Sequence, residues 1–247
     1  MKSEKSKFNP TNRFSNRVEN YIKYRPGYPA EIINFLKLEL KLLSSDIIAD
    51  IGSGTGISSE LFLKNGNKVI GIEPNDEMRL AGENLLRKYS DFTSIIGTAE
   101  ATGLSNHSID FIVSGQAFHW FNPEKTKTEF KRILKPEGVS ILLWNSRKLD
   151  STPFLVAYED LLNKYATDYK EIYHRNSFQD LNSFFENGYQ QKTFENYQLF
   201  NYHSLKGRLL SSSYVPLEGD ENYEKMLVGL KEIFEEFKTD ELVKFEY

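Results

Sequence analysis

The amino-acid sequence predicts an α/β fold, a doubly wound and mostly parallel sheet with helices on both faces. Two observations predict it. Short apolar runs that read as buried strands alternate with helical segments along roughly residues 29 to 147. The first of those runs, Ile47-Ile-Ala-Asp-Ile51, passes directly into Gly52-Ser-Gly-Thr-Gly56, where three glycines permit positive φ and let a ligand approach bare backbone. At 247 residues the chain is long enough for one well-buried domain with an insertion.

The elements follow in order. Pro29 stands at a first helical position before Ala-Glu-Ile-Ile-Asn-Phe-Leu. Strand 47–51 opens through the glycine turn into a helix, Ile57-Ser-Ser-Glu-Leu-Phe-Leu63, which Gly66 closes. Strand 68–73 precedes a helix capped by Asn75, and strand 93–97 and strand 109–114 precede one capped by Asn122 with Pro123 behind it. Strand 139–145 ends the regular alternation. Beyond it, 154–166 reads as an amphipathic helix and 167–191 as partly helical, together the expected lid. Thr193 to Phe200 alternates at period two and reads as a strand, 205–212 and 221–237 as helices, and 242–247 as a last strand. Right-handed crossovers place the strand C-termini along one edge, where open sheets bind ligands.

Spacing narrows the ligand. The dinucleotide fingerprint places its third glycine three residues after the second, and Ile57 occupies that position; the Gly-Lys-Ser/Thr of a phosphate loop is absent. The second strand ends in Glu73, about twenty residues after the first, the distance of a carboxylate that accepts hydrogen bonds from ribose hydroxyls. A ligand with a ribose and no phosphate at the turn fits both features.

Asp50-Ile-Gly-Ser-Gly-Thr-Gly56 with Gly71-Ile-Glu-Pro-Asn75 resembles the first two motifs of class I S-adenosylmethionine-dependent methyltransferases. Gly97-Thr-Ala-Glu-Ala-Thr-Gly-Leu104, Asp110-Phe-Ile-Val-Ser-Gly-Gln-Ala-Phe-His-Trp-Phe121 and Phe130-Lys-Arg-Ile-Leu-Lys-Pro-Glu-Gly138 are similar to later motifs of the methyltransferase type 11 group. Tyr24-Arg-Pro-Gly-Tyr-Pro29, the Gln-Ala-Phe-His-Trp-Phe run and Leu143-Trp-Asn145 resemble the subgroup of trans-aconitate methyltransferase-like enzymes. The likeness covers roughly residues 20 to 147. It implies a Rossmann-like methyltransferase fold of seven strands, the last antiparallel, with a helical lid. One domain over 1–247 follows from it: a cover segment at 1–28, a cofactor-binding core at 29–147, acceptor-side insertions at 148–191 and 203–220, and completion of the sheet by 192–202 and 221–247.

The resemblance also implies a cofactor, S-adenosyl-L-methionine, leaving as S-adenosyl-L-homocysteine, and residues that hold it. Asp50, Gly52, Ser53 and Gly54 form the turn; Glu73 takes the ribose; Pro74, Asn75 and Met78 line the adenosine. Thr98, Ala99 and Glu100 meet the adenine edge, Gln116 lies beneath the methionine portion, and Arg25 pairs with its carboxylate, with Tyr21 and Tyr24 closing the same cover. His119 is the candidate base for an acceptor hydroxyl, against the alternative that it and Trp120 are packed members of the pocket wall. Trp120, Phe121 and Trp144 are candidates for an apolar acceptor pocket, and Arg147 and Arg175 for an anionic acceptor.

A methyl on a sulfonium is already activated, so positioning dominates the chemistry and a carboxylate acceptor needs no base. The resemblance implies a small-molecule acceptor methylated at an oxygen, a carboxylate or a hydroxyl, with nitrogen and carbon as the alternatives. Composition excludes other classes. Net charge is −4 with basic residues scattered, which leaves no footprint for nucleic acid. There is no cysteine, hence no disulfide or thiolate metal site, and no apolar run approaches the roughly 20 residues that span a bilayer. A cytoplasmic setting is the expectation. Two rivals share the glycine turn: a non-catalytic binder of the same cofactor, and a nicotinamide-dependent oxidoreductase, opposed by Ile57 and by the lack of a recognisable Tyr-Lys or His-Asp arrangement.

Overall fold

A computed structural model of the chain describes residues 18–169 and 181–247, which fall into two compact units. Among these residues the first unit takes 27–144 and 181–194, the second 18–26, 145–169 and 195–247. The elements are α1 (Val18–Tyr24), α2 (Glu31–Glu39), β1 (Ile47–Ile51), α3 (Ile57–Lys64), β2 (Lys68–Ile72), α4 (Asp76–Leu86), β3 (Phe92–Ile95), β4 (Ile109–Gly115), α5 (Pro123–Ile133) and β5 (Leu134–Leu143). They continue as α6 (Pro153–Tyr165), α7 (Leu181–Phe184), β6 (Tyr197–Phe200), α8 (Tyr202–Leu210), α9 (Tyr223–Phe237) and β7 (Val243–Glu246).

The first unit is a five-stranded parallel sheet in the order β3-β2-β1-β4-β5. The chain winds outward from β1 through β2 to β3, then returns to β4 on the other side, so the order reverses between β1 and β4. The strands alternate between two buried faces. Ile48, Val69 and Val113 pack with Ile33, Leu36 and Phe62 of α2 and α3, whereas Ala49, Ile51 and Ile112 pack with Phe130 and Ile133 of α5. Ile109 and Phe111 would share a face in a regular strand, but the β4–β5 register shifts between them and they point into opposite clusters.

The helix starts read from sequence are the ones that form. The Asn75 side chain accepts from the Met78 amide at 2.8 Å and Asn122 from the Lys125 amide at 3.2 Å, each filling an orphan donor of the first turn. Gly56, at φ 84°, caps α3, and Gly66, at φ 89°, follows its end. Bounds move by a few residues: α2 begins at Glu31, with Pro29 in the preceding turn. β5 begins at Leu134, earlier than the expected 139, because Leu134 already pairs with Ile109.

The second unit has its own core of Phe154, Leu155, Tyr158, Leu162, Leu205, Leu209, Met226, Leu230, Phe234 and Phe245. Here the sequence-based expectation of one seven-stranded sheet is corrected. Among the described residues β6 and β7 pair antiparallel with each other in a sheet separate from the five. Phe200, Val243 and Phe245 are buried in the cluster that α6, α8 and α9 form, so the apolar face of these strands is satisfied within the second unit. Of the expected lid, α6 and α8 belong to the second unit and α7 to the first, where Phe184 packs edge-on against Phe118 at 4.7 Å. No helix among the described residues is long and apolar enough to cross a membrane.

Candidate functional site

The switch point of the first unit holds the glycine turn. Gly52, Gly54 and Gly56 all have positive φ, of 71°, 55° and 84°. The Gly52 and Ser53 amides bond the Ile72 carbonyl at 2.8 and 3.2 Å, which ties the turn to the end of β2. A Cβ at Gly52 would stand 2.6 Å from that of Ala117, so the loop leaving β4 lies directly over the turn. From the other side, a Cβ at Gly54 would meet Met78 Cε at 3.3 Å and one at Gly82 would meet the Gly54 carbonyl at 3.0 Å; these i, i+4 positions are the face of α4 that seats the turn.

Two acids flank the turn. Asp50 is fully buried, and its Oδ2 accepts from Ser58 Oγ at 2.7 Å and Ser59 Oγ at 2.6 Å, while Oδ1 has no hydrogen-bond partner among the described residues. Burial raises its carboxyl to about 6, with the Ser59 and Ser58 hydrogen bonds pulling the other way. Glu73 accepts from the Gly54 amide at 2.9 Å through Oε2 and from the Asn75 amide at 2.8 Å through Oε1. Burial, with Asp50 as a smaller contributor, holds Glu73 above the usual carboxylate range in spite of those two donors.

The next two loops complete the edge. A Cβ at Gly97 would stand 2.9 Å from Ile72 Cγ2, so the loop after β3 abuts the end of β2. Within it Thr98 and Ala101 exchange backbone bonds at 3.2 Å, Ala99 is buried, and Glu100 Oε1 accepts from the Asn122 amide at 2.7 Å. Gln116 follows β4 in a left-handed conformation, φ 57°, unusual for a residue with a Cβ, with its amide on the Leu143 carbonyl at 2.9 Å. His119 lies on the short 3-10 turn Phe118–Trp120, its ring centroid 4.8 Å from that of Trp120. Phe118, buried beneath it, meets Phe121 and Trp144 edge-on.

The first unit thus brings Asp50, Gly52, Ser53, Gly54, Glu73, Pro74, Asn75, Met78, Thr98, Ala99, Glu100, Gln116 and His119 to one sheet edge. Arg25 belongs to the second unit, where it donates to the Ser211 carbonyl at 3.0 Å. Arg147 lies there too, paired with Glu159, and Arg175 lies outside the described residues.

A family model described as a methyltransferase domain matches residues 49–142, which run from β1 through β5. Within that stretch the chain carries a methyltransferase domain. It is 30% identical to an uncharacterized methyltransferase of Schizosaccharomyces pombe over 61% of this chain and 59% of that protein. It is 32% identical to an uncharacterized methyltransferase of Mycobacterium tuberculosis over 54% of this chain and 52% of that one. The alignments therefore span little more than half of these relatives' lengths. In fold, the chain is similar to a solved structure provisionally named a type II methyltransferase, from Anaeromyxobacter dehalogenans. The TM-score is 0.64 at 18% identity, over 90% of this chain and 95% of that one.

The turn fits S-adenosylmethionine better than a dinucleotide. In a phosphate site the loop amides face the ligand, but here the Gly54 amide is spent on Glu73. The stretch 47–58 contains an acid and no basic side chain, a setting that suits a sulfonium cation and repels a pyrophosphate. Among the described residues no group of His, Cys, Asp or Glu could hold a metal ion.

Several contributors escaped the sequence reading. Ser58 and Ser59 anchor Asp50 from the first turn of α3, and Gly82 lets α4 close on the turn. A glycine inside an otherwise helical pattern was the available signal for Gly82. Glu129 and Arg132 brace the loop after β3. Glu129 Oε1 accepts from the Thr102 amide at 2.8 Å and hydroxyl at 2.6 Å, and Arg132 donates to both Glu129 oxygens and to the Leu104 carbonyl at 2.7 Å. Arg132, then the Thr102 donors, hold the Glu129 carboxyl down at about 2 against its burial.

Proposed function

We propose that this chain moves a methyl group from S-adenosylmethionine to an oxygen of a small-molecule acceptor, a carboxylate or a hydroxyl. The observation that carries the reading is the clasp of Glu73 on the Gly54 and Asn75 amides beside three positive-φ glycines. Each Glu73 oxygen has a second lone pair for a ribose hydroxyl, and no described residue donates to the buried Asp50 Oδ1. The cofactor supplies an activated methyl whose leaving group is a neutral thioether.

In this reading Gly52, Ser53 and Gly54 bring bare backbone against the cofactor, Glu73 takes its ribose, and Pro74, Asn75 and Met78 lie along its adenosine. Thr98, Ala99 and Glu100 provide the adenine edge, and Gln116 its methionine end. Phe118, Phe121 and Trp144 exclude water next to the turn, which strengthens every electrostatic contact there. A carboxylate acceptor arrives ionised and asks only for alignment; with a hydroxyl acceptor, His119 takes the proton. The trans-aconitate-like pattern at 24–29, 116–121 and 143–145 favours the carboxylate, and insertions 148–191 and 203–220 are assigned to the acceptor side. A single methyltransferase domain in the cytoplasm is part of the same reading.

Calorimetric titration with S-adenosylhomocysteine and, in parallel, NADH tests it. Saturable binding of the first alone, weakened more than about tenfold in Glu73→Ala, is the expected result. NADH binding in its place would overturn the methyl-transfer reading.

A further inference from the structure

Among the described residues, the interior of the second unit holds more positive charge than its carboxylates balance. Arg208, on α8, is 5% exposed, yet its partners are neutral: Nε donates to Tyr247 Oη at 3.1 Å and Nη1 to Ser212 Oγ at 3.2 Å. Arg25 donates Nη2 to the Ser211 carbonyl at 3.0 Å and lies 5.0 Å over the Tyr21 ring, and its buried Nε has no hydrogen-bond partner among the described residues. Arg147 is paired with Glu159 and Tyr169, but its side chain is 9% exposed and its buried Nη1 has no partner among the described residues. Among the described residues, neither Arg25 nor Arg208 forms an ion pair with a carboxylate.

The three guanidiniums converge. Arg25 and Arg208 bond adjacent residues of one turn, Ser211 and Ser212, and Arg208 and Arg147 lie 5.2 and 6.0 Å from the same Phe245 ring. Burial, and after it the like charge of Arg208, lower the Arg25 pKa. Hydroxyls and ring faces return only part of what it costs to take a guanidinium out of water. An anion would return the rest. Planar N–H forks match the oxygens of a carboxylate or phosphate two at a time, and surrounding aromatic rings keep the local dielectric low.

We propose that Arg208, Arg25 and Arg147 together bind the carboxylate or phosphate group of a small anionic ligand within the second unit. The site rests on that unit's own geometry and stands apart from the methyl-donor reading.

Calorimetric titration of the full chain with succinate, inorganic phosphate and uncharged succinamide tests it. Saturable binding of succinate or of phosphate, but not of succinamide, is expected, and the stronger of the two anions identifies the group the site takes. Arg208→Gln should weaken that binding more than about tenfold, and Arg208→Lys, which keeps the charge and loses the fork, should fall between. Binding unchanged in Arg208→Gln, or no saturable binding of either anion, overturns the proposal. If Arg208→Gln does not fold, the wild-type chain labelled with nitrogen-15 at arginine Nε decides. The bound anion must shift the Arg208 and Arg25 Nε–H resonances, and unmoved resonances at saturation would refute the site.

Discussion

At Asp50 the fold holds a carboxylate where water cannot reach it, with two serine hydroxyls as its partners. Its pKa stands at about 6 in the folded chain against an ordinary 3.8, so the folded state binds the extra proton between those values. Stability contributed here is therefore lost as pH rises from about 4 to about 6, with the full penalty above, of roughly 3 kcal/mol. Asp50→Asn removes the charge, and its unfolding free energy relative to wild type should rise across that interval. A pH-independent difference between the two in denaturant titrations would count against the buried charge. Gly52 makes the complementary case for backbone. Alanine there would carry φ 71° and a Cβ 2.6 Å from Ala117. Strain and overpacking together should cost about 2 to 4 kcal/mol in urea unfolding and weaken S-adenosylhomocysteine binding.

At the scale of elements, the loop after β3 is held from α5. Thr102 and Arg132 both spend their donors on Glu129, which is 8% exposed, and Arg132 carries the hold on to Leu104 and Asn106. Glu129→Ala leaves a guanidinium and two Thr102 donors without their acceptor and should destabilise the chain by about 2 to 4 kcal/mol. Hydrogen exchange should then quicken at 98–104 while β1 and β2 keep their protection. Equal quickening across the sheet would show the brace to be global. The elements themselves were legible where local chemistry sufficed. Asn75 and Asn122 cap the helices that their positions announced, because a cap needs only a side chain and an amide three residues on. The hold of Glu129 on Thr102 was not legible, because the two sit 27 residues apart and no period links them.

For the whole molecule, binding to the native state alone must add stability by mass action. S-adenosylhomocysteine at a hundred times its dissociation constant should raise the free energy of unfolding by about 2.7 kcal/mol, and Glu73→Ala should forfeit most of that gain at the same concentration. A melting midpoint unmoved by the ligand would contradict the proposed site. At this scale the pairing of β6 with β7 apart from the parallel sheet was the misjudged feature. Periodicity identifies a strand and its apolar face, but the choice of neighbour depends on which core takes that face. Phe200 and Phe245 are claimed by α6, α8 and α9. The βα alternation, the glycine turn and the acids at its two ends are written in the chain, since each depends on residues within one or two elements of each other. Packing in three dimensions sets the rest: the Gly54 amide is spent on Glu73, five strands and two form separate sheets, and three arginines share one interior. Those are contacts between residues far apart in the chain, fixed by packing and by the need to satisfy every buried polar group.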